Sequence, residues 1–493
     1  MEKIVSTLVD YIWGNGLVYL ALAVGLYFTI ITRGVQFRYL PEMIRLLNEK
    51  QESGAGISSF QAFCMSLSGR IGVGNIAGVA TAIAAGGPGS VFWMIVMALL
   101  GGASAFVEST LAQIYKTKVG TEYRGGSPYY IERGLKMKAF AVLVAVVIFL
   151  SYGVLVPGIQ ANTIATSFEN AFALPAWSTG AAVSMILAFL IFGGTKRIAR
   201  AADRIIPLMA LGYVGLMLIV LINHASKIPE TLSLIIGSAF GTDAVFGGIV
   251  GSAISWGVRR AVFSNVAGAG EATFSSAAAE VSHPVKQGLV QGFSVYIDTV
   301  IVCTSTAIMI LITGMYNVHP NGMETPLVEN IPGVEAGSAY TQAALGTVFG
   351  NFGGAFVAVG IFFFAFTCLL AYYYIAETAL LYLDQKLKYP ILSMILRLVF
   401  LAVVFTGSVQ SASLMWGLGD IGFGSMCYLN LIAIVFLSKP ALRALHDYDR
   451  QKKAGLDPVF DPRVAGIENA EFWVAGIENA EFWIEHMQQH DRR

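Results

Sequence analysis

Between Ser68 and Gly89 the chain reads SGRIGVGNIAGVATAIAAGGPG. Glycines at 72, 74 and 78 invite comparison with a dinucleotide-binding turn. That turn needs a preceding strand within a βαβ unit. Both flanks here are apolar and helix-compatible, which excludes it. Inside a membrane, Gly72-Val73-Gly74-Asn75 is an interruption in the middle of a span. Irregular backbone at that depth survives only where it lines a cavity. It frees half-helix N–H groups, which suit a carboxylate, and carbonyls, which suit a small cation. Close packing is the competing account, since Gly74 and Gly78 also form a small-xxx-small face.

A second interruption, FSNVAGAG, covers Phe263–Gly270. Its flanks, 246–258 and 271–280, are apolar. The two interruptions lie about 190 residues, or five spans, apart. Two sets of five spans, each opening with a broken helix, are the mark of inverted repeats in secondary transporters. The halves would be 58–223 and 246–437. Charges also fall inside spans: Arg70, Arg259, Arg260 and Arg397, with Glu108, Glu271, Asp298, Glu377 and Asp420. Such charges are costly and face a cavity or a partner, unless they reach the headgroups.

The elements that must position these residues follow from composition. Of 493 residues, 56% are apolar and 13% charged, against about 25% charged in soluble domains. Apolar runs near the length of a crossing, about 20 residues, occur at 10–31, 58–83, 89–115, 139–165, 177–194, 203–223, 246–280, 288–314, 350–383, 390–407 and 412–437. These predict an all-α integral membrane protein of about eleven spans, with one membrane domain over 1–440. The runs at 246–280 and 350–383 exceed a simple crossing and could each hold a broken or tilted helix. The first run reads as an uncleaved anchor. Only Lys3 precedes it, and no small-residue cleavage site follows.

Basic residues orient the spans. With the N-terminus outside, the inner segments carry Arg33, Arg38, Arg45 and Lys50, then six from Lys116 to Lys138 and four from Lys196 to Arg204. Lys286, Lys386, Lys388 and five from Lys439 to Lys453 complete the set. The outer segments carry Lys3 and Lys227, and the outer loop 315–349 holds only acidic charges, Glu324, Glu329 and Glu335. A short polar cytoplasmic tail, 441–493, contains VAGIENAEFW twice in tandem, from Val464 to Trp483. Two copies are too few for a solenoid, so the repeat reads as a local duplication. Zero net charge argues against nucleic acid. Cys64, Cys303, Cys368 and Cys427 are scattered in apolar segments, with no disulfide or zinc pattern. The histidines fall in loops or the tail, so no cofactor is expected.

The chain resembles the alanine-or-glycine:cation symporter (sodium:alanine symporter) family from its first span to Pro440. The resemblance rests on GNIAGVATAI at 74–83, GGPGSVFWM at 86–94, GIQAN at 158–162, FSN at 263–265 with Ala267, Gly268 and Gly270, and IDTVIVCT at 297–304. It implies the leucine-transporter fold, a 5+5 inverted repeat with one added N-terminal helix, in a bacterial inner membrane. It also implies import of a small neutral amino acid, alanine or glycine, with sodium as coupling ion and no obligate protein partner.

The same resemblance implies particular roles. Gly74 and Asn75 would meet the substrate carboxylate, and Gln160 would hydrogen-bond the substrate. Phe263 and Gly268 would close the pocket, and Tyr372 would line its floor. Thr367 and Cys368 would face the first break, where carbonyls near Gly72 hold sodium. Read as bare residues, Asn75 could cap a half-helix, Gln160 could bond a neighbouring helix, and Thr367 its own backbone.

The second break departs from the family's usual FSNEAG followed by Gly-Ser-Ala-Pro. Val266 takes the acidic position, Glu271 replaces the serine and Thr273 the proline. Glu271 is therefore expected to balance charge with a cation or an arginine, Arg70, Arg259 or Arg260, or else to reach an aqueous vestibule. The alternatives are a same-fold carrier coupled to protons, a membrane enzyme, which would need a nucleophile–base pair or metal cluster, and a channel, which would need repeated pore loops.

Overall fold

With no water at depth, apolar runs must pair their own backbone groups, and the helix is the way one segment does so. The computed structural model describes residues 2–49, 55–192, 195–320, 323, 325–384 and 391–478. Lys50, Lys386 and Lys388 of the basic loops, Glu324, and Asn479–Trp483 of the second repeat copy lie outside the described residues. Among the described residues, eight helices are long and apolar enough to cross a membrane, or nine if one bent pair counts as a span.

The eight are Lys3–Ile31, Gly89–Ile114, Lys138–Phe172, Arg204–Asn223, Pro284–Thr313, Asn351–Asp384, Ile391–Ser408 and Ala412–Phe436. Every one of the eleven expected segments overlaps a helix. Ala176–Ile191 and Val250–Asn265, however, have 16 residues each, short of that length. The all-α expectation meets two small exceptions. A hairpin pairs β1 (Thr117–Val119) with β2 (Glu122–Arg124), and Asn317–Val318 pairs with Val328–Glu329.

We label the helices that carry the argument in chain order. They are α1 (Leu40–Leu47), α2 (Ser59–Arg70), α3 (Gly74–Gly86), α4 (Gly89–Ile114) and α5 (Lys138–Phe172). Then come α6 (Val250–Asn265), α7 (Ala272–Ala278), α8 (Pro284–Thr313), α9 (Asn351–Asp384), α10 (Ala412–Phe436) and α11 (Ser438–Lys453).

Both expected interruptions are present. α2 and α3 meet at a 53° bend across Ile71–Val73. α6 ends at Val266, whose φ of 46° is left-handed, and Gly268 and Gly270 follow at φ 86° and 85°. Glycine tolerates that region, but a β-branched valine is strained there. The run at 350–383 is unbroken: α9 continues for 34 residues, about 50 Å at 1.5 Å per residue. Hydrogen bonding loosens to π turns at Gly74–Gly78, Ser151–Leu155 and Tyr296–Cys303. The second of these precedes Pro157, which has no N–H; Val156 N bonds Ser151 O at 2.9 Å instead.

α4, α8 and α9 form the centre, with 67% of each apolar window buried, against 17% in Arg204–Asn223. At one end the two broken helices are tied together. A parallel bridge joins Ile57, ahead of α2, to Ala279, after α7. Ile57 N donates to Ala278 O at 3.0 Å, and Glu280 N donates to Ile57 O at 2.9 Å. The tail is not simply polar and solvated, because α11 packs on the bundle and Phe460 and Trp473 are buried.

Candidate functional site at the first helix break

The bend after Arg70 leaves N–H groups without helical partners, and side chains take them. Gly72 N donates to Asn75 Oδ1 at 2.8 Å, and Val73 N donates to Gln160 Oε1 at 3.3 Å. Asn75, inside the half-helix, thus reaches back to the N–H of Gly72, and on its other side Nδ2 donates to Asp298 Oδ1 at 2.7 Å. Gln160 Nε2 donates to the Tyr372 hydroxyl at 3.0 Å. Asn75 and Gln160 thus both bond N–H groups of the break itself. All three side chains are at most 2% exposed.

Two glycines allow this closeness. A Cβ on Gly72 would run into Cys368 Sγ and crowd Gln160. One on Gly74 would lie 3.1 Å from Ser264 Cα and 3.2 Å from the Phe263 ring. Gly74 is thus where the two broken helices touch, so the packing account of that glycine also holds. Phe263 stacks against Trp416 and Phe423, with centroids 5.1 and 4.7 Å away. Tyr152 and Tyr372 extend this wall, 5.0 Å apart. Beside the break lies a cavity of about 640 Å³ whose lining includes Ala77, Asn162, Thr163, Gln342 and Trp416.

Of the ion-site pair, Cys368 faces the break, with Sγ 3.4 Å from Gly69 O and 3.6 Å from Ile71 O. The Thr367 hydroxyl instead donates to Phe363 O and Phe364 O, at 3.1 and 2.9 Å. A threonine inside a helix has its own turn's carbonyls within easiest reach. Gly268 meets Leu431, and its carbonyl accepts from Asn430 Nδ2 at 2.9 Å.

The pairing of Glu271 with Arg259 is corrected. Arg259 bonds Asp420, and Arg260 joins the same carboxylate at 3.2 Å. Asp420 on α10, not Glu271, is the anion both guanidinium groups contact, and the trio keeps one positive charge. Glu271 accepts from the Tyr152 hydroxyl and makes no ion pair among the described residues. At 3% exposure it does not reach a vestibule either. It lies over Gly69, where a Cβ would collide with its carboxyl.

Sequence reasoning noted Asp298 as an intramembrane charge but gave it no role. The structure surrounds it with donors: Asn75, Ser264 Oγ at 3.0 Å and Thr299 Oγ1 at 2.7 Å. A lone carboxylate in an apolar run was the available signal. Glu108 was passed over in the same way. Its Oε2 accepts from Gly270 N at 3.1 Å and Asn430 Nδ2 at 2.8 Å, holding the second break open. Arg70 is fully enclosed. Its Nη1 donates to Gln291 O at 3.1 Å and to Ser294, while Nε and Nη2 have no hydrogen-bond partner.

A many-helix membrane chain with a helix broken at a buried polar centre has the make-up of a membrane transporter. The chain belongs to the sodium:alanine symporter family, whose profile matches residues 1–462. It is 54% identical over 475 residues to a Bacillus subtilis (strain 168) protein named putative sodium/proton-dependent alanine carrier protein YrbD, covering 96% of this chain and 98% of the relative. The sodium/proton-dependent alanine carrier protein of Bacillus sp. (strain PS3) is 51% identical over 435 residues, 87% of this chain and 97% of that one. The probable sodium/glutamine symporter GlnT of Bacillus subtilis (strain 168) is 44% identical over 476 residues, 96% of each. The protein is therefore a multi-pass membrane transporter and not an enzyme.

Proposed function

We propose that the protein imports a small neutral amino acid, alanine or glycine, by symport with sodium. The two broken helices form the site, and alternating access moves them against the rest of the bundle. The eleven-span, 5+5 inverted-repeat organisation, with halves 58–223 and 246–437, goes with this reading. So does an N-terminus outside and a tail, 441–493, in the cytoplasm, where the positive-inside rule puts the basic loops.

The observation that carries the reading is the first break. Gly72 N and Val73 N are held by two side-chain oxygens, those of Asn75 and Gln160. An amino acid's carboxylate oxygens can take over such N–H groups at a half-helix N-terminus. The substrate contacts are then Gly74, Asn75, Gln160 and Tyr372, with Phe263 and Gly268 on the closing side. Sodium, a hard cation, takes oxygen ligands. Asp298, Ser264 and Thr299 supply a carboxylate and two hydroxyls in one cluster. The carbonyls at Gly69 and Ile71, which Cys368 rather than Thr367 faces, offer a second position.

Proton coupling is a second reading, favoured by the names of the first two relatives and by Glu271, whose buried carboxyl has a tyrosine beside it and no ion pair among the described residues. Uptake of labelled alanine, glycine and glutamine into proteoliposomes separates these. Sodium-driven alanine or glycine uptake that survives collapse of the pH gradient supports the first reading. Uptake driven by a pH gradient in sodium-free buffer overturns it.

A further inference from the structure

The last described residues are built into the bundle. The Trp473 ring is 2% exposed, and its Nε1 donates to Gln113 O at 2.9 Å. Its centroid lies 5.2 Å from that of Phe460. Phe472 meets Tyr123 edge-on at 4.9 Å. Among these rings sits the Lys116 ammonium, just past the end of α4. Nζ is 4.6, 4.7 and 5.2 Å from the centroids of Tyr123, Phe472 and Trp473. It also donates to Ala279 O at 2.9 Å. Burial pushes this lysine down to about 8, and ring faces oppose that trend by favouring the cation.

The same residues hold the closed end of the broken helices. Gln113 Nε2 bonds Ser276 O, and Ala279 O at 3.0 Å. Tyr123 N donates to Ala55 O at 3.3 Å. The approach to α2, residues 55–57, is thus bonded to Tyr123 and to Ala278–Glu280. The tail's two rings in turn hold Tyr123 and Lys116. Parting α2 from α7 at this end must break the Ile57 bridge and move Tyr123 and Ala279. It therefore disturbs the ring cluster.

We propose that residues 460–473 are a strap that restrains opening of this end of the transporter, with Phe472 and Trp473 as its plug on Lys116. The proposal rests on the alternating-access reading above. Among the described residues, the first copy of the repeat supplies several docking contacts: Asn469 Nδ2 on Arg133 O at 3.1 Å, Arg443 on Gly466 O, and the buried Ile467 and Ala470. Val474–Trp483 repeats that sequence residue for residue. Docking the second copy in its place lengthens the link from Phe460 by ten residues, a factor of about two in closure probability. Removing the plug therefore means changing both copies.

The test uses the full chain carrying F472A, W473A, F482A and W483A. The reporter is native Cys64 on α2, which is buried. An impermeant thiol reagent is added on the strap side and labelling is read by peptide mapping, with uptake measured in parallel. Labelling of Cys64 is expected to rise about five-fold, as loss of two ring–ammonium contacts would give. Maximal uptake rises with it while KM stays the same, and added peptide GIENAEFW reverses both. A gentler variant, N469A with N479A, removes an exposed hydrogen bond and disfavours the left-handed backbone at Asn469, φ 59°, and moves labelling the same way by less. Labelling unchanged in both variants overturns the strap, and so does a lost activity that the peptide does not restore. Failure of the unaltered protein to take up any amino acid overturns the transport reading alone, since the Cys64 comparison still judges the strap.

Discussion

Glu271 shows what one side chain can decide. Its carboxyl sits on Gly69 and takes a hydrogen bond from Tyr152, with no counter-ion at ion-pair distance among the described residues. Glu271→Gln keeps an oxygen for the tyrosine and deletes the ionisable group. Thermal stability is expected to stay within about 1 kcal/mol, since the glutamine oxygen still accepts the Tyr152 hydrogen bond. Uptake is expected to fall at least about ten-fold, or 1.4 kcal/mol, if the charge serves the cycle. Wild-type uptake in that variant would mark the residue as packing. Gln160 gives the complementary case. Gln160→Leu leaves Val73 N unpaired and removes one donor from the Tyr372 hydroxyl, a loss of about 1–3 kcal/mol for the buried N–H. KM for the transported amino acid should rise more than kcat falls. A kinetic comparison with unchanged KM would remove Gln160 from the substrate's contacts.

At the scale of elements, the breaks were legible in the sequence and their partners were not. GVGN and FSNVAGAG are short polar or glycine-rich islands in apolar runs, and only a helix interruption accommodates them. The expected positions hold, including the left-handed backbone that Gly268 and Gly270 supply. What spacing could not tell is which side chain from a distant helix meets each break. Asp298 lies on α8 and Glu108 on α4, and both arrive through tertiary packing. The same blindness produced the mistaken Arg259 partner, since neighbours in sequence were favoured over Asp420, 161 residues on. Thr367 and Cys368 are adjacent, yet a helix turns them about 100° apart, so only one can face the break. The tail's average polarity gave no sign that Phe460 and Trp473 would be buried. Gly69→Ala tests the element level. Its methyl would overlap the Glu271 carboxyl, and overpacking of this kind costs about 1–3 kcal/mol. A matching drop in thermal stability is expected, and it should shrink when Glu271 is also shortened to Ser. An undisturbed Gly69→Ala protein would mean the two breaks have room to part.

For the whole molecule, α11 carries the link between the bundle and the tail. Glu42 on α1 accepts from the Tyr448 hydroxyl at 2.8 Å and pairs with Lys452 at 3.0 Å. Burial works to raise this carboxyl, but hydrogen bonds from Arg45, Tyr448 and Lys452 prevail and hold it at about 2. A folded value below the free one means that the charged form favours docking. The contribution is complete above about 4.5 and drains away as pH falls toward 2. Hydrogen exchange in 438–453, corrected for its intrinsic rate, should accelerate across that window, and Glu42→Gln should flatten the change. Acceleration that persists in the variant would point to other carboxyls. The rim of the bundle obeys a different chemistry. Leu208, Leu211 and Ile222 are 75%, 73% and 75% exposed on a helix that keeps little of its surface inside. Nothing in the protein gives those side chains a shape to match; hydrocarbon tails do, and they adapt. Such positions should accept almost any apolar residue in a saturation screen, while Gly69 and Gly72 reject even a methyl. Genetic drift in this transporter is therefore expected to be written on its lipid-facing rim, so that distant cousins would differ most where a bilayer, not a fold, is the judge.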